Sequence, residues 1–400
     1  MERRRTGGSL TDLRRANRDE AVRLLRLHGA MTQAELARLS GLSHASVSNI
    51  VRDLTGDGTA SIAAVMRNGR RASEVRLNPD AGVVAGVDFG NRHVRVAIAD
   101  LARNVLGEAY ARLPQGHHAR QGIEQCIRML HRLLAQAERS TADLKAVAVG
   151  IPGPIVEATG RVGSPTILPG WSDVDIAGAF RHEIGIAVSV DNDANLGALA
   201  ESLWGNGRGM RDFAYLKVST GIGAGLFLNG ALYRGAAGTA GEIGHTTIDE
   251  DGPLCKCGNR GCLETMAAAP AMLDLLRGSF GDTFTLEDLL RLCVEGDTSC
   301  RRVIADAGRH IGVALANLCN LVNPQVIIVG GELTMAADVL FPAIEESLAR
   351  RAIPVAAQAT KVVPGALAER TAVLGGVALA LQEATQPTSV LPFAGATVAG

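Results

Sequence analysis

The chain is predicted to fold as an α/β protein of two lobes preceded by a small winged helix-turn-helix unit. Three observations predict this. From residue 83 onward, β-type runs punctuated by glycine alternate with helical stretches. Before them come three short helical segments and two strand-like runs, with a glycine turn between the second and third helices. The length is 400 residues, with 47% hydrophobic and 20% charged, which suits two or three globular domains. Aromatics make up only 3%, so the core must be built from Ala, Val, Leu and Ile. No run of 18 or more apolar residues occurs, which argues against a membrane span. The basic start MERRRTGGSL has no apolar stretch after it, which argues against a secretory signal.

Charge divides the chain. Residues 1–78 hold 14 Arg and no Lys against 8 acidic residues, whereas the whole chain has a net charge of −1. A basic N-terminal unit on an acidic body points to a polyanion that meets the first part alone. The expected division is a winged helix-turn-helix domain at 1–78, lobes at 79–200 and 201–385, and a disordered tail at 386–400, where periodicity is lost.

Residues 19–54 read as three helices. The first carries Ala21, Val22, Leu24, Leu25 and Leu27 and stops at Gly29. Thr32 caps the second, with Glu35 in the capping-box position. After Ser40-Gly41-Leu42, Ser43 caps the third, whose inward residues are Val47, Ile50, Val51 and Leu54. That leaves His44, Ala45, Ser46, Ser48, Asn49 and Arg52 facing outward, small or polar enough to reach base edges and phosphates. SIAAVM and SEVRLN then read as a two-stranded wing whose tip carries Arg67, Arg70 and Arg71. Ser43, the six outward residues and the three arginines are the expected contacts with duplex DNA. A helical protein-interaction module is the plainer alternative.

In the body, VVAGVDFG, VRVAIADL and VLGEAYARL read as strands, followed by a helix near 119–138 and the buried strand LKAVAVGIPG. IAVSVDNDANLGALAES runs from strand through a loop into a helix, and its turn carries Asp191, Asn192, Asp193 and Asn195. Carboxylates at the carboxyl end of an α/β strand sit where ligands bind. Asn192 and Asp193 suit sugar hydroxyls, and Asp193 also suits a general base. The same residues read equally as an Asx turn with Asn195 capping the helix. FAYLKVSTGIGAGLFL opens the second lobe, and Thr220, Gly221 and Gly223 make a loop that suits a phosphate. An ordinary glycine-rich hairpin is its alternative. Helices over 265–321, the buried strand PQVIIVGGEL, and helices near 338–351 and 372–384 follow.

The densest chemistry lies in GEIGHTTIDEDGPLCKCGNRGCLET, where His245, Cys255, Cys257 and Cys262 follow the pattern H-x9-C-x-C-x4-C. Three thiolates and an imidazole complete a tetrahedral zinc shell, with Gly258 and Gly261 in the tight turns such a wrap requires. Glu242 and Glu264 flank the cluster and are not needed in the shell, so both are free for a ligand, and a zinc-pinned loop would present Glu242, His245 and Glu264 to a small polyhydroxylated molecule. A purely structural zinc knuckle is the alternative. The other cysteines, Cys126, Cys293, Cys300 and Cys319, are scattered in helical segments, which suits a reducing cytoplasm.

Several motifs together carry a resemblance: VDFG, IPGP, LPGW, DNDAN, STGIGAGL, GEIGH, CKCGNRGCLE and IIVGGE. With them the sequence resembles the ROK family, the repressor, open-reading-frame and kinase group of sugar kinases and sugar-responsive regulators. The resemblance implies a two-lobed actin-like ATPase (ribonuclease H-like) fold over 83–384 and the winged helix of its repressor branch over 10–78. It implies a sugar site of Gly153, Asn192, Asp193, Glu242, His245 and Glu264, and a structural zinc ion on His245, Cys255, Cys257 and Cys262. In the family's kinases Asp193 would hold the place of the base. Those kinases read D-x-G-G-T-K after the first strand, where this chain reads Asp88-Phe89-Gly90-Asn91-Arg92-His93. The asparagine often found before LPGW is also missing from Ser164-Pro165-Thr166-Ile167. The expectation is therefore a cytoplasmic, sugar-responsive regulator, in the main a repressor. It would bind operator DNA and a sugar effector as a homodimer or homotetramer. The alternative is an ATP-dependent sugar kinase carrying a DNA-binding module, and ATP with Mg2+ belongs to that alternative alone.

Overall fold

The computed structural model describes residues 10–67, 70–156, 161–163, 168–171, 174–186 and 188–384. The wing tip Asn68-Gly69, the Ser164–Ile167 stretch and the tail at 386–400 lie outside the described residues, as do the side chains of Arg67 and Arg70.

The N-terminal unit comprises α1 (Leu10–His28), β1 (Met31–Thr32), α2 (Gln33–Ser40), α3 (His44–Gly56), β2 (Ala60–Arg67) and β3 (Arg70–Leu77). Thr32 and Glu35 close a reciprocal capping box on α2, and Gly41 ends that helix at φ 69°. Ser43 accepts the Ser46 N–H and starts α3. Val47, Ile50, Val51 and Leu54 of α3 are buried with Ala21, Val22, Leu24 and Leu25 of α1. Two details differ from the sequence reading. Helix α1 begins at Leu10 rather than near Asp19, and residues 13–16 in this added stretch are exposed, so no buried face marks them in the sequence. A third strand, β1, pairs with β3 through Met31 and Thr32, and two residues are too few for any alternation to be read.

The first lobe runs through β4 (Val83–Gly90), β5 (His93–Asp100), β6 (Val105–Arg112), α4 (Ala119–Gln136), β7 (Leu144–Ile151), β8 (Ile155–Val156), β9 (Arg161–Val162), α5 (Ile176–Ile184), β10 (Val188–Asn192) and α6 (Asp193–Trp204). The second has β11 (Phe213–Val218), β12 (Ile222–Leu228), β13 (Ala231–Tyr233), α7 (Glu264–Ala267), α8 (Ala269–Phe280), α9 (Leu286–Glu295), α10 (Thr298–Val322), β14 (Val326–Gly330), α11 (Ala337–Arg351), α12 (Pro354–Ala359), β15 (Lys361–Pro364) and α13 (Thr371–Glu383).

The two body sheets repeat one topology. Their strand orders are β10-β7-β4-β5-β6 and β13-β12-β11-β14-β15. In each, the first strand centres an antiparallel meander on one side and parallel strands on the other. Helices α4 and α5 cover the outer face of the first sheet, and α8 to α11 cover that of the second. Helices α6 and α13 fill the layer between the sheets, sharing a core with Val84, Ala148, Phe213 and Ile328. Glycine permits this spacing: a Cβ on Gly375 would stand 1.9 Å from the Leu196 carbonyl oxygen, and one on Gly86 would stand 2.2 Å from that of Val373. Although last in the chain, α13 packs on β4, β5 and β7 of the first sheet. Among the described residues no helix is long and apolar enough to cross a membrane.

Candidate functional site

A cleft of about 320 Å³ opens where the carboxyl ends of β7 and β10 face the β11–β12 loop and the segment that includes Gly241, Glu242 and His245. Gly153, Asn192, Asp193, Glu242, His245 and Glu264 all line it, although they are scattered over more than a quarter of the chain. Asn192 ends β10 and caps α6, its Oδ1 accepting the Ala194 N–H at 2.8 Å while its Nδ2 donates to the Gly153 carbonyl at 2.7 Å. The cap is therefore Asn192, not Asn195. Asn195 instead donates to Asp191 Oδ1 at 2.8 Å. Asp193 stands in the first turn of α6, where the helix terminus favours its negative charge.

Two lysines that motif reading passed over bring cations into this wall. Lys217 of β11 bonds Asp193 Oδ2, and Lys256 pairs with Glu264 at 3.0 Å. Burial opposes the charge on Lys217, but Asp193 and then Asp88 outweigh it and hold its pKa above the usual lysine range. Glu242 has no such partner among the described residues. Burial, reinforced by the charges of Asp193 and Glu264, pushes its pKa up to about 7. Behind the cleft, Arg234 after β13 donates from Nε at 3.0 Å and Nη2 at 2.6 Å to Asp191 Oδ2, so a second ion pair joins the lobes.

Beside the cleft, the ligand atoms of His245, Cys255, Cys257 and Cys262 lie within 4.8 Å of one another. His245 Nδ1 is 3.6 Å from Cys255 Sγ, and Cys257 Sγ is 3.7 Å from Cys262 Sγ. A tetrahedron with metal–sulfur distances of about 2.3 Å has edges of about 3.8 Å, so the donor set fits a thiophilic divalent ion. Gly258 at φ 94° and Gly261 at φ 64° make the turns, and a Cβ on Gly261 would stand 1.5 Å from the Asp249 carbonyl oxygen. His245 belongs both to this cluster and to the cleft wall.

The two loops that would meet a nucleotide are engaged internally. After β4 the His93 ring folds over Gly90, where a Cβ would stand 2.2 Å from the imidazole, and His93 Nε2 lies 3.1 Å from Asp88 Oδ2. Arg92 donates to Gln115 at 2.6 Å. In the second loop, Thr220, Gly221 and Gly223 line the cleft, but the Ile222 N–H donates to Glu264 at 3.2 Å and Ser219 Oγ to Glu332.

On the N-terminal unit, Ser43, His44, Ala45, Ser48, Asn49 and Arg52 of the α3 face are exposed and Ser46 is half-buried. Arg52 donates to Asn49 at 2.7 Å, and Arg71 on the wing is exposed.

The ROK family model matches residues 84–383. The chain is 27% identical to the xylose repressor of Caldicellulosiruptor bescii over 391 residues, covering 94% of this chain and 98% of that one. A solved ROK family transcriptional regulator, a homologue of the E. coli MLC protein, superposes with a TM-score of 0.78 at 26% identity, covering 93% of this chain and 97% of its own. A ROK family glucokinase from Streptomyces griseus, solved with glucose and AMPPNP, gives a TM-score of 0.62 at 25% identity, covering 75% of this chain and all (100%) of the kinase. The kinase therefore matches the body, whereas the regulator extends over nearly the whole chain.

Proposed function

The chain belongs to the ROK family, and from that membership we infer that it is a sugar-responsive DNA-binding transcriptional repressor. The observation that carries this reading is the joining, in one chain, of a winged helix to a cleft where the six expected sugar ligands converge. The domains are taken as 1–78, 79–200 and 201–385, acting in the cytoplasm as a homodimer or homotetramer that reads two operator half-sites. Residues 43–46, Ser48, Asn49 and Arg52 enter the major groove. Arg67, Arg70 and Arg71 meet the backbone or minor groove.

In the cleft, sugar hydroxyls donate to Asp193 and Glu242, while Gly153, Asn192, His245 and Glu264 complete the wall. A zinc ion on His245, Cys255, Cys257 and Cys262 would cross-link the loop that presents these groups. Because the ligands come from both lobes, the sugar favours one degree of lobe closure over another. It shifts DNA affinity by its differential affinity for the two states. The His93 ring over Gly90 and the Lys217 ion pair on Asp193 both favour this reading over an ATP-dependent sugar kinase.

The test is a selection of duplexes from a random library by the full-length protein, then fluorescence anisotropy with and without a panel of monosaccharides. The expected result is a selected duplex bound at least about 10³-fold more tightly than random DNA. One sugar should change that affinity by roughly tenfold or more. No enriched duplex, or sugar-dependent ADP release at about 1 per second or faster, would overturn it.

A further inference from the structure

Lys217 sits between Leu216 and Val218, which are 1% and 0% exposed, in a strand otherwise committed to the core. Its ammonium reaches the cleft wall and bonds Asp193 Oδ2 across the boundary between the lobes. The remaining oxygen of Asp193 has no side-chain partner among the described residues. Lys256 makes a similar pair with Glu264, whose second oxygen takes the Ile222 N–H. The charged lining is thus Asp193, Glu242 and Glu264 against Lys217 and Lys256, and both lysines are paired.

This arrangement has a ligand chemistry. Each hydroxyl of a sugar donates one hydrogen bond and accepts others, so an ammonium beside a carboxylate matches two neighbouring hydroxyls. A phosphate ester brings close to two negative charges and needs cations to spare. Here every ammonium in the lining already serves a carboxylate. The cleft's volume, about 320 Å³, is at the small end for ligand pockets and suits a single ring.

We propose that Lys217 is a specificity-determining residue of this cleft. With Asp193 it forms a donor–acceptor pair that engages adjacent hydroxyls of a neutral monosaccharide, and the cleft excludes phosphorylated sugars. The proposal rests on the reading of the cleft as the effector site.

Isothermal titration of the full-length, zinc-loaded protein tests it, using xylose, glucose and N-acetylglucosamine, each beside its terminal phosphate ester. At least one neutral sugar should bind, its phosphate ester roughly tenfold or more weakly. Lys217→Met should lose roughly tenfold or more in affinity for that sugar, as expected for a charged hydrogen bond. Lys217→Arg, which restores the cation, should recover most of the loss, a rescue that mere packing of the strand would not give. Zinc content and melting temperature monitor the fold. If the methionine variant fails either check, Lys217→Gln, polar but uncharged, replaces it in the comparison. A phosphate ester that binds as tightly as its parent sugar overturns the neutral-ligand claim. Wild-type affinity in the uncharged variant, or no rescue by arginine, overturns the role of Lys217 and leaves the effector cleft standing. If no sugar or ester binds the wild type, the effector-site reading itself falls, and the proposal with it.

Discussion

At the scale of single residues, burial decides which polar groups are tolerated and which direction pH pushes them. His117 is 3% exposed, donates from Nδ1 to the Pro114 carbonyl at 3.2 Å, and meets the edge of Trp171. Among the described residues its Nε2 is buried with no partner at hydrogen-bond distance. A second proton would have to be placed there, and burial accordingly holds the pKa below the ordinary histidine value. Just below pH 6.5 the unfolded chain therefore binds more protons than the folded one, so stability falls as the pH falls through that window. His117→Phe, which cannot titrate, should show a smaller drop in melting temperature between pH 7 and pH 5.5 than the wild type, both in excess zinc. Parallel curves for the two proteins would show that His117 contributes nothing to the slope. None of this is legible in the sequence, since a histidine in PQGHHARQG could as well be solvated. Lys217 left a faint signal, one charge in an apolar run, but a strand pattern does not say what faces that charge. That Asn192 and Asp193 would stand in a cleft was legible because the carboxyl end of an α/β strand is where such clefts open. That Asn192 is mostly occupied with capping α6 and holding Gly153 needed the fold.

At the scale of elements, what can be read from sequence depends on how local the interactions are. The loop of His245, Cys255, Cys257 and Cys262 closes on itself within a short stretch, so spacing alone showed it. The α2–α3 turn did so too, through caps and a glycine. Strand β15 and helix α12 escaped notice because each is short and its packing partners are far away in the chain. Two predictions belong here. Cys257 is the exposed member of its cluster, so its replacement should disturb packing least. Cys257→Ser should lose the metal, measured by elemental analysis, and with it roughly tenfold or more of sugar affinity. A variant that keeps a full equivalent of zinc would remove Cys257 from the ligand set. In the wing, Arg70→Ala and Arg71→Ala together should lower the slope of log affinity for the selected duplex against log salt by roughly 1–2 units. An unaltered slope would take the wing off the phosphate backbone, while base reading by α3 could stand.

At the scale of the whole molecule, two sheets of identical strand order enclose a middle layer of two helices, and the cleft opens at the edge of that layer. The duplication is barely visible in the sequence because topology, rather than residue identity, is what repeats. Among the described residues four ion pairs join the two lobes; Arg95 with Glu369 and Arg370 with Glu108 lie away from the cleft, whereas Asp193 with Lys217 and Asp191 with Arg234 lie at it. Asp193 and Lys217 line the cleft and would meet the sugar together, as a pair. The pair behind it, Asp191 and Arg234, lies outside the lining and would fix how far the lobes close. Asp191 is 5% exposed and also holds the Asn192 N–H and Asn195 Nδ2, so without its guanidinium it stays anchored to its own lobe but loses its grip on the other. Arg234→Met should therefore leave DNA affinity of the sugar-free protein near the wild-type value, yet reduce the change produced by saturating sugar. Coupling between two such sites is typically about 1–3 kcal/mol, and a large part of it should disappear. Because coupling is reciprocal, the same variant should show a smaller effect of operator DNA on sugar affinity, by the same factor. Anisotropy titrations of DNA at zero and saturating sugar, paired with sugar titrations at zero and saturating DNA, measure both arms. An undiminished ratio in both would mean that closure is set elsewhere than at this ion pair.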